Sequence, residues 1–118
     1  MRKIFIALTI LVGLIILVAC GGRYSNANER NQGIARQAVE IADEYFDGRI
    51  TARQASDRMH NLPSFTRVNP TTATDIGLGN SFLSTTLAFS SLAGGRGTEA
   101  EALERRNNLA SGLGMRRR

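Results

Sequence analysis

The side chains that most often carry out chemistry are scarce in this chain. His60 is the only imidazole and Cys20 the only thiol, and no second His, Cys or paired acid accompanies either of them in the sequence. A zinc site needs three or four such ligands, and nucleophilic catalysis needs a base beside the nucleophile. The sequence therefore predicts no catalytic residue, no metal site, no resident cofactor and no enzymatic activity.

Carboxylates are the other candidates, and four of them lie close together at Glu40, Asp43, Glu44 and Asp47. General acid and base catalysis needs a desolvated cleft that separates the pKa values of two acids. At helical spacing these acids crowd one polar side of a segment whose other side is apolar, so we expect a solvated face. A calcium loop from Asp43 is not supported, because Tyr45 and Gln54 stand at positions that need oxygen ligands.

The first twenty residues form a separate unit that ends at the single cysteine. Met1-Arg2-Lys3 is basic, residues 4–19 are apolar apart from Thr9, and Leu17-Val18-Ala19 leads directly to Cys20. A run of about 16 residues is ~24 Å long as a helix, which is short of the ~30 Å hydrocarbon core of a bilayer. The layout is typical of a removable export signal with cleavage between Ala19 and Cys20. A short uncleaved anchor is the alternative.

Leu17-Val18-Ala19-Cys20 resembles the lipobox of bacterial lipoprotein precursors. The resemblance covers only the signal segment. It implies that Cys20 is joined through a thioether to diacylglycerol, with or without an N-acyl chain, and becomes the first residue of the mature protein. It also implies a lipid anchor on the extracytoplasmic face of a bacterial membrane, inner or outer. Lipidation would account for an odd cysteine in an exported protein.

The charge balance points away from nucleic acid. The chain has 15 Lys and Arg against 10 Asp and Glu, and a mature chain without Arg2 and Lys3 would carry +3. Aromatic residues are few, and no basic stripe is interleaved with them. Arg116-Arg117-Arg118 would add attraction to anionic lipid if these side chains reached the headgroups. A basic end that only aids solubility is the simpler interpretation.

Apolar periodicity predicts an all-α domain, a small bundle of three to four helices. The helices are expected at about 29–47, 51–62, 76–95 and 99–111, with capping boxes at Thr51/Gln54 and Thr98/Glu101. The organisation is a signal peptide over 1–19, a lipidated cysteine and flexible tether over 20–33, a helical domain over 34–113, and a basic tail over 114–118. The first helix overlaps the end of this tether.

Residues 76–95 contain no charged side chain and show two apolar stripes. One stripe carries a candidate apolar contact surface of Leu78, Phe82, Phe89 and Leu92. The other carries Ile76, Leu83 and Leu87. We expect a central core helix, while a surface left open for a partner or a second copy of the chain is the first alternative. A membrane span is the least favoured, because glycines and hydroxyl residues lower its hydropathy.

The expected function is that of a small lipid-anchored, non-enzymatic interaction module in the cell envelope. Its partners would be membrane lipid through Cys20 and an envelope protein or a second copy of the chain. One alternative is a carrier of a small apolar ligand or lipid, held between the Phe82/Phe89 stripe and the helical hairpin. Another is a structural or stress-related envelope lipoprotein with no discrete partner.

Overall fold

The computed structural model describes residues 22–69 and 71–118, and all regular structure in this part of the chain is helical. Helix α1 spans Glu29–Phe46, α2 spans Ala52–His60, α3 spans Ala73–Ala93 and α4 spans Glu99–Gly112. These four helices confirm the predicted all-α bundle. Ala19 and Cys20, with the whole signal segment, lie outside the described residues.

Helices α1 and α2 form the hairpin that the sequence indicates. Gly48 has φ +77°, a left-handed conformation that ends helices and favours glycine. Thr51 then caps α2: its hydroxyl oxygen accepts from the Gln54 N–H at 3.1 Å, and the Thr51 N–H donates to Gln54 Oε1 at 2.9 Å. The predicted capping box is therefore confirmed.

Helix α3 begins three residues earlier than predicted, because a capping box at Thr72 and Asp75 starts it. At the predicted box of Thr98 and Glu101, only the bond from the Glu101 N–H to Thr98 Oγ1 is present. Thr72 Oγ1 accepts from the Asp75 N–H at 3.2 Å, and its hydroxyl donates to Asp75 Oδ2 at 2.7 Å. The other carboxylate oxygen, Oδ1, accepts from the Asn28 N–H at 3.0 Å. Asp75 thus joins the beginning of α3 to the residue that precedes α1.

The core lies around α3, which packs against each of the other three helices. The largest fully buried side chains come from every helix, namely Phe89, Met59, Leu78, Leu109, Val39 and Thr85. The Thr85 hydroxyl donates to the carbonyl of Ser81 at 2.9 Å, and that of Thr86 donates to Phe82 O at 3.0 Å. These bonds satisfy hydroxyls inside an apolar environment, as expected for Ser and Thr in a buried helix.

The segments predicted as a tether and as a tail both pack on the helices. The segment assigned to a flexible tether over 20–33 packs on the domain from Gly22 onward, with Tyr24 and Ala27 buried and α1 starting at Glu29. The segment assigned to a basic tail over 114–118 also packs: Met115 contacts the core, and Arg118 binds acids of α1. Long-range contacts hold both of these polar segments, neither of which has an apolar periodicity that a local pattern would reveal.

Candidate functional site

The chain enters the domain at a contact between its first described residues and the end of α4. The Tyr24 N–H donates to the carbonyl of Gly112 at 2.8 Å, and the Tyr24 ring lies against both Gly112 and Gly77 of α3. A Cβ on Gly112 would collide with this ring, so the close approach depends on glycine. Tyr24 therefore fixes the entering chain between the end of α4 and the first turns of α3.

A cleft of about 390 Å³ opens beside this contact. Two of its lining side chains are cations, Arg23 and Arg105, and the guanidinium of Arg23 lies 5.6 Å from the centroid of the Tyr24 ring. Such a cation–π contact holds Arg23 at the rim of the cleft. The remaining lining residues are small or polar: Tyr24, Gly77, Asn80, Ser81, Ser84 and Asn108. Guanidinium groups with amides and hydroxyls suit a phosphate or carboxylate.

Next to the cleft, α3 carries an exposed apolar row. Ile76, Leu83 and Leu87 have 55%, 55% and 54% of their surface exposed. Their spacing of seven and four residues places them on one side of the helix. Asn80, which lines the cleft, falls on the same side between Ile76 and Leu83. The row and the cleft are therefore adjacent parts of one surface.

The predicted apolar contact surface is wrong, because its residues lie in the core or pack against it. Leu78 and Phe89 are fully buried, while Phe82 and Leu92 are partly buried and pack against the core. The Phe89 ring meets those of Tyr45 and Phe46 edge to face, at centroid distances of 5.5 and 5.9 Å. These rings fill the space in which the carrier hypothesis placed a ligand.

Both stripes of α3 are apolar, so periodicity alone does not say which one packs inward. The stripe with Phe89 packs inward, because the Phe89 ring contacts the rings of Tyr45 and Phe46 in α1. A core helix and an open surface are thus both present on α3. The signal for the open surface was the second stripe, Ile76, Leu83 and Leu87, whereas nothing in the sequence singled out Arg23 or Arg105.

The acids of α1 are paired rather than simply solvated. Asp43 accepts a bidentate contact from the buried Arg106, with Oδ1 2.9 Å from Nε and Oδ2 3.1 Å from Nη2. Arg106 also donates to the carbonyl of Arg116 at 2.6 Å. The guanidinium of Arg118 binds Asp47 at 2.8 Å and Asp43 at 3.3 Å. On the predicted solvated face, Asp47 is exposed and Asp43 is partly buried, and both carboxylates bind arginines.

These contacts also bear on the predicted headgroup residues. The guanidinium of Arg118 is engaged by two carboxylates and lies 5.7 Å from the centroid of the Phe46 ring. The side chains of Arg116 and Arg117 are exposed. The hydrogen bond from Arg118 lowers the pKa of Asp47, and the same bond raises the pKa of Arg118. This pair stays ionised at neutral pH.

The remaining chemical candidates have structural partners. His60 Nδ1 donates to the carbonyl of Ser56 at 2.7 Å, within the last turn of α2. The Tyr45 hydroxyl donates to Glu99, and burial, followed by this bond, raises its pKa to about 12. Within residues 22–69 and 71–118, no cluster of three or more His, Cys, Asp and Glu is placed to hold a metal ion.

Comparison with protein-family models, with curated proteins and with solved structures gave no match. Among the described helices, none combines the length and the apolarity that crossing a bilayer requires. The surface formed by the Arg23/Arg105 cleft and the apolar row is accordingly the candidate functional site on geometry alone.

Proposed function

We propose that this protein is a lipid-anchored, non-enzymatic interaction module of the bacterial cell envelope, attached through Cys20 on the extracytoplasmic face of a membrane. The observation that carries the proposal is the pattern Leu17-Val18-Ala19-Cys20 after a short apolar run. Two acyl chains on one cysteine give stable attachment, because each buried CH₂ contributes about 0.8 kcal/mol and one chain alone binds only marginally.

The position of the first packed residues supports a specific kind of anchoring. Gly22 already lies against Gly112 and Gly114, only two residues after Cys20 in the sequence. Two residues of extended chain reach at most about 7 Å. A domain on so short a link stays at the bilayer surface, where its effective concentration toward other membrane components is high. Contacts at or near the membrane are therefore the function that this arrangement favours.

The test compares wild-type protein with Cys20→Ser, using Ser25→Ala as a matched control that keeps the thiol. Membrane fractionation and intact-mass spectrometry are measured on all three. We expect wild type and Ser25→Ala in the membrane fraction with Cys20 as an acylated first residue, and Cys20→Ser released or left uncleaved. An unmodified cysteine in a membrane-bound wild-type product, or an intact Met1, would contradict the proposal.

A further inference from the structure

We propose that the domain lies on the bilayer with one defined face, formed by Ile76, Leu83 and Leu87 of α3 and by Arg23 and Arg105 of the adjacent cleft. This docking face rests on the proposed lipid anchor at Cys20. Its occupant is the headgroup region of a phospholipid membrane. The apolar row enters the boundary between headgroups and acyl chains, and the two arginines bind lipid phosphates.

The apolar half of the docking face has the character of a surface that meets lipid. Three large aliphatic side chains stand more than half exposed in a row, and α3 from Ile76 to Ala93 contains no charged residue. Burying such side chains at the membrane interface is favourable, and the absence of charge removes the desolvation cost that would oppose it. The hydroxyl groups of this helix bond locally at Thr85 and Thr86.

The link to Cys20 brings this face, rather than another, to the membrane. The ring of Tyr24 contacts Gly77, which is the neighbour of Ile76, at the first turns of α3. Tyr24 is the fourth residue after Cys20 in the sequence, so the lipidated residue lies at most about 14 Å along the chain from that contact. The row therefore begins where the anchor enters the bilayer and continues for about three turns of α3.

The charges bordering the row complement a phosphate-rich surface. Arg23 and Arg105 line the cleft on one side of the row, and a smaller cleft on its other side brings Arg67, Phe65 and Val68 next to Ile76. Asp75 also borders this second cleft, but its carboxylate is engaged by Thr72 and by the Asn28 N–H. An apolar centre with a cationic rim is the composition of proteins that lie in the membrane interface.

A second copy of the chain fits this face less well. A stable protein interface buries about 800 Å² per partner and involves some 20–30 residues a side. The apolar row offers three, and arginines border it on both sides. Two copies meeting through this face would bring like charges together, whereas a phospholipid surface supplies the opposite charge.

The experiment uses the absence of tryptophan from the sequence. Leu83→Trp and Leu87→Trp each introduce one reporter into the row, and Gln37→Trp places one on the exposed side of α1 as a control. Each full-length variant is purified from bacterial membranes in its lipidated form and reconstituted into phosphatidylglycerol or phosphatidylcholine vesicles, with or without brominated acyl chains. Flotation with the vesicles is measured first, and tryptophan emission second.

We expect all variants to float and both row reporters to be quenched at least about twofold by brominated lipid, as for side chains at the headgroup and acyl boundary, with Gln37→Trp unaffected. Flotation without quenching of either row reporter would overturn the docking face and leave the anchor intact. Loss of flotation in the wild type would overturn both proposals. A blue shift that rises with protein concentration and ignores bromine would assign the face to a second copy, against this proposal.

The role of the arginines is tested in the Leu83→Trp background with Arg23→Gln and Arg105→Gln together. The control pair is Arg36→Gln with Arg53→Gln, two exposed cations outside the docking face. We expect the first pair to reduce quenching in phosphatidylglycerol to the level seen in phosphatidylcholine, and the control pair to leave the difference in place. Equal losses for both pairs would overturn the phosphate contacts, since they would show only a dependence on net charge.

Discussion

At the scale of single residues, the cations and acids of this domain are used as pairs. Arg106 is buried and would carry a large desolvation cost without Asp43, whose two carboxylate oxygens it contacts. Arg118 performs a similar role at the surface with Asp47. Side chains for which the sequence predicts a solvated acidic face and a basic tail thus form ion pairs that stabilise the fold. The arginines proposed to bind a partner are Arg23 and Arg105, at the cleft.

The Asp47–Arg118 pair gives a prediction about acid stability. The folded-state pKa of Asp47 lies below its unfolded value because of the hydrogen bond from Arg118. The pair therefore contributes stability that is present above about pH 4, the ordinary range of an aspartate, and is lost as pH falls through the lowered pKa. Arg118→Gln should return the Asp47 pKa toward its ordinary value, measured by carboxyl NMR titration.

Arg117→Gln is the matched control for this titration, because it removes the neighbouring exposed charge and retains the pair. The two variants should also differ in unfolding: Arg118→Gln lowers the urea midpoint at neutral pH, and the difference from wild type shrinks as pH falls below the ordinary aspartate range, about pH 4. An Asp47 pKa that moves equally in both variants would show that general charge, rather than the hydrogen bond, sets it.

At the scale of elements, the helices were predictable where capping chemistry and apolar spacing agree. Gly48 and the Thr51/Gln54 box marked the hairpin correctly, because both signals are local and involve residues within one turn. The uncharged run predicts a start at Ile76, whereas the cap formed by Thr72 and Asp75 starts α3 three residues earlier, at Ala73. Which stripe of α3 is buried depends on Tyr45 and Phe46, and no local pattern contains that information.

The capping residue of α3 gives the prediction at this scale. Thr72→Ala removes the acceptor for the Asp75 N–H and the donor to its carboxylate, which also loosens the bond from Asn28. We expect a loss of about 1 kcal/mol in the free energy of unfolding, measured by urea denaturation. Thr74→Ala, at the second residue of the same helix, should change the free energy of unfolding by no more than about 0.5 kcal/mol. Equal losses in the two variants would contradict the role of the cap.

At the scale of the whole molecule, the segment before α1 and the segment after α4 both pack on the helices. The segment at Gly22–Tyr24 packs on Gly112, and the segment at 116–118 packs on α1 through Arg106 and Asp43. Neither segment is periodic, so the sequence favoured a tether and a tail. The contacts of Gly22 and Tyr24 hold the chain on the domain from Gly22 onward.

The contact of Tyr24 with Gly112 can be tested by a single methyl group. Gly112→Ala places a Cβ into the Tyr24 ring, and we expect a loss of about 1–3 kcal/mol in the free energy of unfolding, the range for overpacking. Gly33→Ala in α1 is the control, because nothing lies within 4 Å of its Cβ and alanine is the better helix former by up to about 1 kcal/mol. A Gly112→Ala protein as stable as wild type would contradict the packing of Tyr24 on Gly112 and would favour a flexible tether before α1.

Removal of residues 116–118 tests the other end of the domain. It takes away the carbonyl that accepts from the buried Arg106, the Arg118 N–H that donates to Asn107 Oδ1, and the guanidinium that binds Asp47. Because hydrogen bonds to a charged group contribute about 1.5–3 kcal/mol, we expect a loss of at least about 2 kcal/mol in the free energy of unfolding. The full-length double variant Arg116→Gln/Arg117→Gln keeps all three contacts while removing two charges, so its urea midpoint should match that of the wild type. If both proteins lost the same stability, net charge would explain the loss, and the packing of this segment would contribute nothing to the fold.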